Sequence, residues 1–371
     1  MTQAKILVTA ANGKTGRALV AQLREKNVPV KALVRRLDAR SVQLQKLGAE
    51  VVVADMFDPD QLLDAMRDTQ RAYFCPPMHP HMIQSASAFF LAVRAAKLEC
   101  VVGLSQWLAS PNHPSLHTRQ VWHADQMLAA IPNLAHVTLN PGYFADNYLR
   151  FLDFAALLGI WPIVTGTSRN APPSNEDIAR CAAAILLNPD KHAGKIYRPT
   201  GTNLLSAYDM LQIIRRVLNS PVIPMRLPIW MLLRAARIQG EDAFVMGSLV
   251  HYLEDHKQGA FEMSAPNDDI VQLTGAPAEP FEATVRRYAA MGFARKNVAN
   301  RLRAFINFNR VPFSRGYNLK AFEENQFHPM APKPEYAMQN AAWRISHGAG
   351  QNRAYSFSAP TSGATSNIIL A

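Results

Sequence analysis

The sequence predicts an α/β protein with a doubly wound parallel sheet, a smaller mainly helical lobe and a basic C-terminal extension. Three observations predict this class. Short apolar runs alternate with helical patterns through the first 150 residues, the runs are nearly continuous in Val, Leu and Ile, and a turn of small residues follows the first run. Strands without a polar face are typical of parallel sheets that helices cover on both sides. Repeated strand–helix units join such strands through right-handed crossovers.

The first domain is predicted over residues 1–150, where strands and helices alternate. Strands are predicted at Lys5–Thr9, Val30–Val34, Glu50–Ala54, Ala72–Cys75, Val101–Ser105 and Ala135–Leu139. Helices are predicted at Thr15–Glu25, in a polar segment ending near Gly48, and at Pro59–Arg67, Met82–Lys97 and Val121–Ala130. This order predicts a single sheet with its connecting helices on the two faces.

The second region, residues 151–292, is predicted to form a smaller lobe that also returns elements to the sheet domain. Phe151–Asn170 shows no regular pattern, and helices are predicted at Asn175–Leu187, Tyr208–Leu218 with Ser206 as its N-cap, Met225–Arg237 and Glu241–Asp255. The stretch Pro224–Leu249 is rich in Met, Trp, Leu and Phe. Its composition suits either the wall of an apolar ligand pocket or the core of the lobe.

Residues 293–371 form the basic extension, with ten Lys and Arg against three Asp and Glu in a chain of net charge +11. Within Lys296–Tyr317, Arg alternates with Phe and Tyr, and Leu302, Phe305 and Ile306 form an apolar stripe at helical spacing. We favour a helix that docks this stripe on the domain, on a second copy or on a protein partner. A membrane surface is an alternative, and nucleic acid is less favoured. The last 20 or so residues have low complexity and are predicted to be disordered.

The composition excludes several classes of protein. No apolar run approaches the roughly 18 residues of a transmembrane helix, and the N-terminal MTQAKILVTA enters a strand without a signal-peptide pattern. Three cysteines, Cys75, Cys100 and Cys181, lack metal or redox spacing, which predicts reduced thiols and a cytoplasmic location. The pair His79-Pro80-His81 lacks further ligands at suitable spacing, so no metal site is predicted. The Gly-x-Ser-x-Gly elbow of hydrolases is also missing.

The most informative segment is the turn Ala10-Ala11-Asn12-Gly13-Lys14-Thr15-Gly16, which follows the first strand and opens the first helix. Unpaired amides at a helix N-terminus, together with the helix dipole, favour a bound phosphate. Gly13 and Gly16 allow the backbone to approach a pyrophosphate closely. The position between the first strand and the first helix makes this glycine pair a dinucleotide-binding signal, typical of a Rossmann domain.

The end of the second strand predicts which dinucleotide is bound. Proteins that prefer NAD usually place an acid near this point to bind the ribose hydroxyls. Here the chain has Arg35 and Arg36 instead, which suit charge-assisted hydrogen bonds to a 2′-phosphate. The sequence therefore predicts NADP(H) over NAD(H), with Arg35 as the better candidate. Asp55, after the third strand, is predicted either to contact the cofactor or to begin a turn.

Over residues 4–290 the sequence resembles the NmrA-like family of atypical short-chain dehydrogenases, which includes NADP-sensing regulators and quinone-reductase-like enzymes. The resemblance is carried by AANGKTG, ALVRR, EVVVADMFD, VVGLSQW and NPGYFADNYL, and by the later EDIARCAAAIL, GKIYRPTG and DDIVQLTG. It implies that Tyr143 and Phe144 lie near the nicotinamide. Together with the turn, it predicts this set of cofactor-binding residues: Ala10, Asn12, Gly13, Lys14, Thr15, Gly16, Arg35, Arg36, Asp55, Cys75, Pro76 and Pro141. Two positions depart from the family pattern: Ala10 replaces a glycine, and Asn140 replaces a frequent arginine.

The usual proton-transfer pair of short-chain dehydrogenases is missing, because none of the ten tyrosines has Lys four residues later. Ser105 occupies the serine position, His117 falls near the tyrosine position and Val121 stands where lysine is expected. Ser105, His117 and Tyr143 are the candidate catalytic residues, since a neutral His or a Tyr can move a proton. Packed or surface side chains are the alternative for His117 and for His123.

Two functions remain open at this stage, and with them the question of whether the protein is an enzyme. The first is hydride transfer from NADPH to a small apolar carbonyl, quinone or enone. The second is a catalytically silent, NADP-sensing regulatory protein that binds a partner. An isomerase or epimerase that holds its cofactor tightly is a third possibility, because fold alone does not determine function.

Overall fold

The structure, a computed structural model of the chain, describes residues 3–325 and 328–348. The terminal segment predicted to be disordered lies outside these residues. The strands are β1 (Ile6–Val8), β2 (Val30–Val34), β3 (Glu50–Val53), β4 (Arg71–Phe74), β5 (Cys100–Leu104), β6 (Ala135–Leu139), β7 (Ile160–Ile163), β8 (Arg169–Asn170), β9 (Ile196–Tyr197), β10 (Leu205–Ser206) and β11 (Ile223–Arg226).

The helices of the first 190 residues are α1 (Lys14–Glu25), α2 (Ala39–Lys46), α3 (Pro59–Ala65), α4 (Met82–Ala96), α5 (Leu116–Ala129), α6 (Ala145–Tyr148), α7 (Leu152–Leu158) and α8 (Asn175–Leu187). Those that follow are α9 (Ala207–Leu218), α10 (Ile229–Ile238), α11 (Ala243–Lys257), α12 (Asp269–Thr274), α13 (Phe281–Ala289), α14 (Val298–Arg310), α15 (Leu319–Asn325) and α16 (Ala341–His347).

The main sheet has seven strands in the order β3-β2-β1-β4-β5-β6-β9, and every pair is parallel. The side chains of successive residues in β1 point to opposite faces of the sheet. Ile6 and Val8 pack in the core beneath α1 and α8, whereas Leu7 packs in the core beneath α3 and α4. The predicted fold class, a doubly wound Rossmann sheet, is confirmed. The chain order reverses between β1 and β4, which is where ligands bind in open parallel sheets.

Two sequence predictions in the second lobe need correction. Phe151–Asn170, predicted to be irregular, contains α7, β7 and β8. The helix predicted at Met225–Arg237 is present as α10 but begins only at Ile229, because residues 223–226 form strand β11, paired in parallel with β7. Pro228 stands at the N-cap of α10 and disfavours helical backbone in the residue before it, so the helix cannot begin earlier. The N-cap prediction for Ser206 is confirmed, since its side chain accepts from the Asp209 amide at 3.2 Å.

The extension docks on the lobe, but not through the predicted stripe. Leu302, Phe305 and Ile306 are 57, 58 and 46% exposed. The opposite side of α14 makes the contact instead: Ala304 is buried, and the ring of Phe308 meets the edge of Phe154 at 6.0 Å. A small alanine lets the helix axis approach the lobe closely, and that approach turns the larger side chains outward. The boundaries at residues 150 and 292 stay predictions.

Across residues 3–325 and 328–348, no helix combines the length and apolarity needed to cross a bilayer.

Candidate functional site

An open cleft of about 1230 Å³ lies beyond the carboxyl ends of β1, β4, β5 and β6. It brings together residues that the sequence spreads over more than 130 positions. The predicted site residues in its lining are Ala10, Gly13, Lys14, Thr15, Gly16, Cys75, Pro76, Ser105, His117, Pro141 and Tyr143. Four predicted residues, Asn12, Arg35, Arg36 and Asp55, are not part of this lining.

The turn after β1 has the features of a phosphate cradle. Gly13 is the N-cap of α1 and no side chain caps this helix, whose first turn carries no acid. The first amides of α1 are therefore left for a ligand. A Cβ on Gly16 would stand 2.4 Å from the carbonyl oxygen of Ala10, so this position requires glycine. Ala10 has a positive φ of 48°, the conformation for which the family's glycine is suited.

Arg35 and Arg36 lie at the outer edge of this cradle. The Ala11 amide donates to the Leu33 carbonyl at 3.2 Å, which holds the turn against the end of β2. Both arginines are exposed, and neither forms an ion pair within the described part of the chain. Their guanidinium groups are therefore available to a phosphate, and the predicted contact with the cofactor stays a prediction. Asp55 begins a turn, one of the two predicted roles, because its carboxylate accepts from the Phe57 amide at 3.0 Å.

Beside the cradle, Cys75 and Pro76 form one wall of the cleft. The Cys75 amide donates to the Thr9 hydroxyl at 2.8 Å, which fixes the loop after β4. Burial raises the pKa of the Cys75 thiol to about 12, so it stays protonated at neutral pH. This cysteine therefore shapes the wall and has no thiolate character.

His117 projects from the first turn of α5 into the cleft. The structure starts this helix five residues earlier than predicted, at Leu116, because Ser115 caps it through the Thr118 amide. Burial lowers the pKa of His117 to about 4, so its ring is neutral at physiological pH. Its Nδ1 is buried and has no hydrogen-bond partner among residues 3–325 and 328–348. A neutral imidazole in this position can donate one hydrogen bond to a ligand.

Ser105, at the end of β5, is less available. Its hydroxyl donates to the carboxylate of Asp125 at 2.5 Å, and both side chains are buried. The amide of Asn140 reaches the same hydroxyl at 3.5 Å. Since its proton is directed at Asp125, Ser105 would have to change partner before donating to a ligand.

Tyr143 lies where the cleft meets a cluster of aromatic rings. Its centroid is 5.1 Å from that of Tyr148 and 5.8 Å from that of Phe261. Burial raises the pKa of Tyr143 above that of an ordinary tyrosine, so the phenol remains protonated. Behind it, the Tyr148 hydroxyl meets His256 Nε2 at 2.5 Å, and His256 Nδ1 meets the Ser168 hydroxyl at 2.6 Å.

An ion pair crosses the cleft. The ammonium of Lys14 lies 2.5 Å from Asp146 on α6 and 5.2 Å from the ring centroid of Tyr288. Burial lowers the pKa of Lys14, but the carboxylate of Asp146 and the hydroxyl of Tyr288 together outweigh burial, so the pKa of Lys14 is raised. The second oxygen of Asp146 is buried and lacks a partner within the described residues. The pair joins the phosphate cradle to the loop after β6.

Several lining residues were missed by sequence reasoning, among them Gln106, Asp146 and Tyr252. Tyr252 donates to Gln106 Oε1 at 2.6 Å, although the two are 146 positions apart. No local pattern predicts such a contact. Asp146 did offer a signal, since it is an acid within the apolar run NPGYFADNYL.

A second compartment of about 840 Å³, which we call the lobe compartment, is lined by apolar side chains and by charged ones such as Glu241; it adjoins the cleft and shares Lys14, Tyr143 and Arg150 with it. Leu232 and Met246 line it and also belong to the buried core of the lobe. Leu232 on α10 and Met246 on α11 therefore pack the lobe and also line the compartment, whereas the role of the stretch Pro224–Leu249 as the wall of a ligand pocket stays a prediction.

Comparison with known proteins identifies the cofactor class. A family model described as NAD(P)H-binding matches residues 10–189. An NAD(P)H azoreductase of Xenophilus azovorans is 23% identical over 291 residues, covering 77% of this chain and 98% of that protein. A nitrogen metabolite regulation-like protein, bik4, of Gibberella fujikuroi is 26% identical over 240 residues, covering 58% of this chain and 73% of that protein.

Two solved structures show the same fold. The Escherichia coli NADPH-dependent quinone oxidoreductase QOR2, complexed with NADPH, superposes with a TM-score of 0.66 at 20% identity over 76% of this chain and 99% of that chain. A mutant of NmrA superposes with a TM-score of 0.63 at 14% identity over 77% of this chain and 95% of that chain. The family model is described as NAD(P)H-binding, and it confirms the predicted cofactor class, to which NADP(H) belongs. The chain therefore carries an NAD(P)H-binding region of Rossmann fold, and it is similar in sequence to a nitrogen metabolite regulation-like protein and in fold to NmrA.

Proposed function

We propose that the protein is an NADPH-dependent reductase that transfers hydride to a small, apolar, conjugated acceptor such as a quinone. The observation that carries the proposal is that the cleft beside the phosphate cradle adjoins the lobe compartment, and that Tyr143 lines both. A cofactor held by the cradle would place its reactive end near Tyr143 and His117. The names of two relatives, an azoreductase and a quinone oxidoreductase, support the same class of acceptor.

When bound, the nicotinamide supplies the hydride. The chain's own residues supply orientation, water exclusion and a proton. Tyr143 keeps its proton at neutral pH and can donate it to the oxygen of the acceptor as negative charge develops there. His117, neutral for the same reason of burial, can donate a second hydrogen bond. Leu232 and Met246 exclude water from the acceptor's other end.

The preference for NADPH is assigned to Arg35. It follows β2 directly, is exposed, and has no acidic partner within the described residues. We expect Arg35→Glu to weaken NADPH binding about tenfold or more, because a charge-assisted bond to the 2′-phosphate contributes roughly 1.5–3 kcal/mol. NADH binding should change much less, since NADH has no such phosphate. Fluorescence titration with both nucleotides measures the ratio.

The matched control is Arg94→Glu, which makes the same change of charge on the exposed side of α4. It should leave both affinities unchanged. Native protein that binds NADH as tightly as NADPH, or an Arg35→Glu variant with an unchanged preference, contradicts the assignment.

The reductase activity is tested by following the loss of NADPH absorbance with a panel of quinones, azo dyes and aldehydes. We expect turnover with apolar conjugated acceptors. Tyr143→Phe keeps the ring packing and removes the proton, so kcat should fall about a hundredfold, while the Kd for NADPH stays the same. Tyr208→Phe, at an exposed tyrosine on α9, is the control and should retain full activity.

The alternative is a catalytically silent NADP-sensing protein. Two features favour it: the missing tyrosine–lysine pair, and the Ser105 proton directed at Asp125. Tight NADPH binding with no oxidation by any acceptor in the panel would establish that alternative over the reductase.

A further inference from the structure

We propose that the outer face of α14 is a docking surface for an anionic membrane. Val298, Leu302, Phe305 and Ile306 occupy positions i, i+4, i+7 and i+8 of this helix and are 84, 57, 58 and 46% exposed. Residues at this spacing lie on one side of a helix. We call these four residues the α14 stripe. A contiguous exposed apolar face of this kind marks an interaction surface.

Two aromatic side chains extend the stripe. Phe313, just after α14, is 91% exposed, and Trp230 on α10 is 51% exposed. Arg234 joins them: its guanidinium lies 4.7 Å from the Trp230 ring centroid and donates to the Pro312 carbonyl at 2.5 Å. Tryptophan beside phenylalanine and aliphatic side chains is the composition that enters the boundary between lipid headgroups and acyl chains.

The chain segment that carries the stripe has charges of one sign. Between Glu282 and Glu323 the chain carries nine Lys and Arg and no acid. On the helix, Arg301 borders the stripe on one side and Arg310 on the other, and neither forms an ion pair within the described residues. Arg303 is closer to a counter-charge, since it acts on Asp153 of α7. Cations beside an apolar face complement a surface of anionic lipid.

This charge disfavours the other occupants of the stripe. A second copy of the chain would bring arginines against arginines, and residues 349–371 contain one Arg and no acid. Single-stranded nucleic acid would suit the arginines. Bases can also stack on Phe305, but they would leave the aliphatic Val298, Leu302 and Ile306 exposed to water. An anionic bilayer can bury the apolar stripe among its acyl chains and attract the bordering arginines to its headgroups.

The opposite side of α14 fixes this surface to the rest of the protein. Ala304 is buried and Phe308 packs against Phe154 of α7. Just before α7, Phe151 lines the lobe compartment. The proposed membrane face and the compartment therefore belong to the same lobe, although membrane binding does not depend on catalytic activity.

The proposal is tested with the full chain by flotation with vesicles of phosphatidylcholine alone and of phosphatidylcholine mixed with phosphatidylglycerol. We expect binding to the anionic vesicles that weakens as salt is added. Leu302→Ser combined with Phe305→Ser should reduce the bound protein at least about tenfold, because two apolar side chains no longer enter the bilayer. Arg301→Glu combined with Arg310→Glu should remove the preference for anionic lipid.

The matched control is Leu91→Ser, which alters a leucine of similar exposure, 54%, on α4. It should float like the native protein, and NADPH titration of each variant verifies the fold. Equal binding to both kinds of vesicle, or binding that survives Leu302→Ser with Phe305→Ser, overturns the proposal. So does a dimer that this double variant dissociates, because a second copy would then cover the stripe. Salt-sensitive binding to single-stranded RNA without vesicle binding overturns it as well.

Discussion

At the scale of single residues, the turn after β1 depends on backbone conformation as much as on side-chain chemistry. Ala10 adopts a φ of 48°, which an L residue enters at a cost that glycine avoids. Its carbonyl accepts from the Gly13 amide at 2.8 Å and occupies the space that a Cβ on Gly16 would need. The departure from the family glycine at this position therefore keeps the shape of the turn but introduces strain.

Ala10→Gly should stabilise the protein by about 0.5–1 kcal/mol, since relief of the strain exceeds the entropy that glycine adds to the unfolded chain. The free energy of unfolding in urea measures this, and NADPH affinity should be kept. Ala11→Gly is the neighbouring control. Ala11 is fully buried and has no positive φ, so this change should destabilise by about 1 kcal/mol. Destabilisation by Ala10→Gly would show that the turn is not strained.

At the scale of secondary structure elements, the start of a helix decides which side chains reach the cleft. Capping by Ser115 begins α5 at Leu116 and places His117 in its first turn, facing inward. The helical periodicity of the apolar residues is recognisable in the sequence only from Val121 onward, so the predicted helix did not include His117. A cap is a local signal, but the polar segment before it resembles a loop as much as a helix start.

The packing of α14 also explains why its apolar stripe, predicted to dock on the domain, is exposed. Helical periodicity correctly predicts an amphipathic helix there. The helix, however, has two apolar faces, one with Leu302 and Phe305 and one with Ala304 and Phe308. Hydrophobicity alone favours the larger side chains as the buried ones. In the structure the face with Ala304 packs on the lobe, because this small side chain lets the helix lie close to the surface of the lobe.

At the scale of the whole molecule, the part of the extension that the structure describes, up to residue 348, belongs to the folded body. Asp255 on α11 is fully buried and binds His113 Nε2 at 2.7 Å and the Ala337 amide at 2.8 Å. Trp343 of α16 is also buried, and its indole donates to the Trp107 carbonyl at 2.9 Å. These contacts join the sheet domain, the lobe and the extension around one polar centre.

Buried histidines make the global stability depend on pH. Burial lowers the pKa of both His117 and His256 to about 4, whereas both histidines titrate near pH 6.5 in the unfolded chain. Below pH 6.5 the two histidines are protonated in the unfolded chain, whereas in the folded protein they stay neutral down to about pH 4. Stability should therefore fall by about 2 kcal/mol for each histidine between pH 7 and pH 5. Urea unfolding across this range measures the slope.

The variant His117→Asn should flatten that slope, whatever its effect on stability at pH 7. The exposed His81 provides the control, since His81→Asn should leave the slope as it is. A free energy of unfolding that stays constant or rises as the pH falls would contradict this account of the two buried rings.

By itself, the sequence determined the parallel sheet, the phosphate turn and the class of cofactor. Each of these follows from local regularities: the period of apolar residues, and small residues between a strand and a helix. Only the tertiary structure decided three contacts: the hydrogen bond from Tyr252 to Gln106, the ion pair of Lys14 with Asp146, and the hydrogen bond from Ser105 to Asp125. Such contacts join distant segments, and their energies depend on distance and burial, which local sequence patterns do not specify.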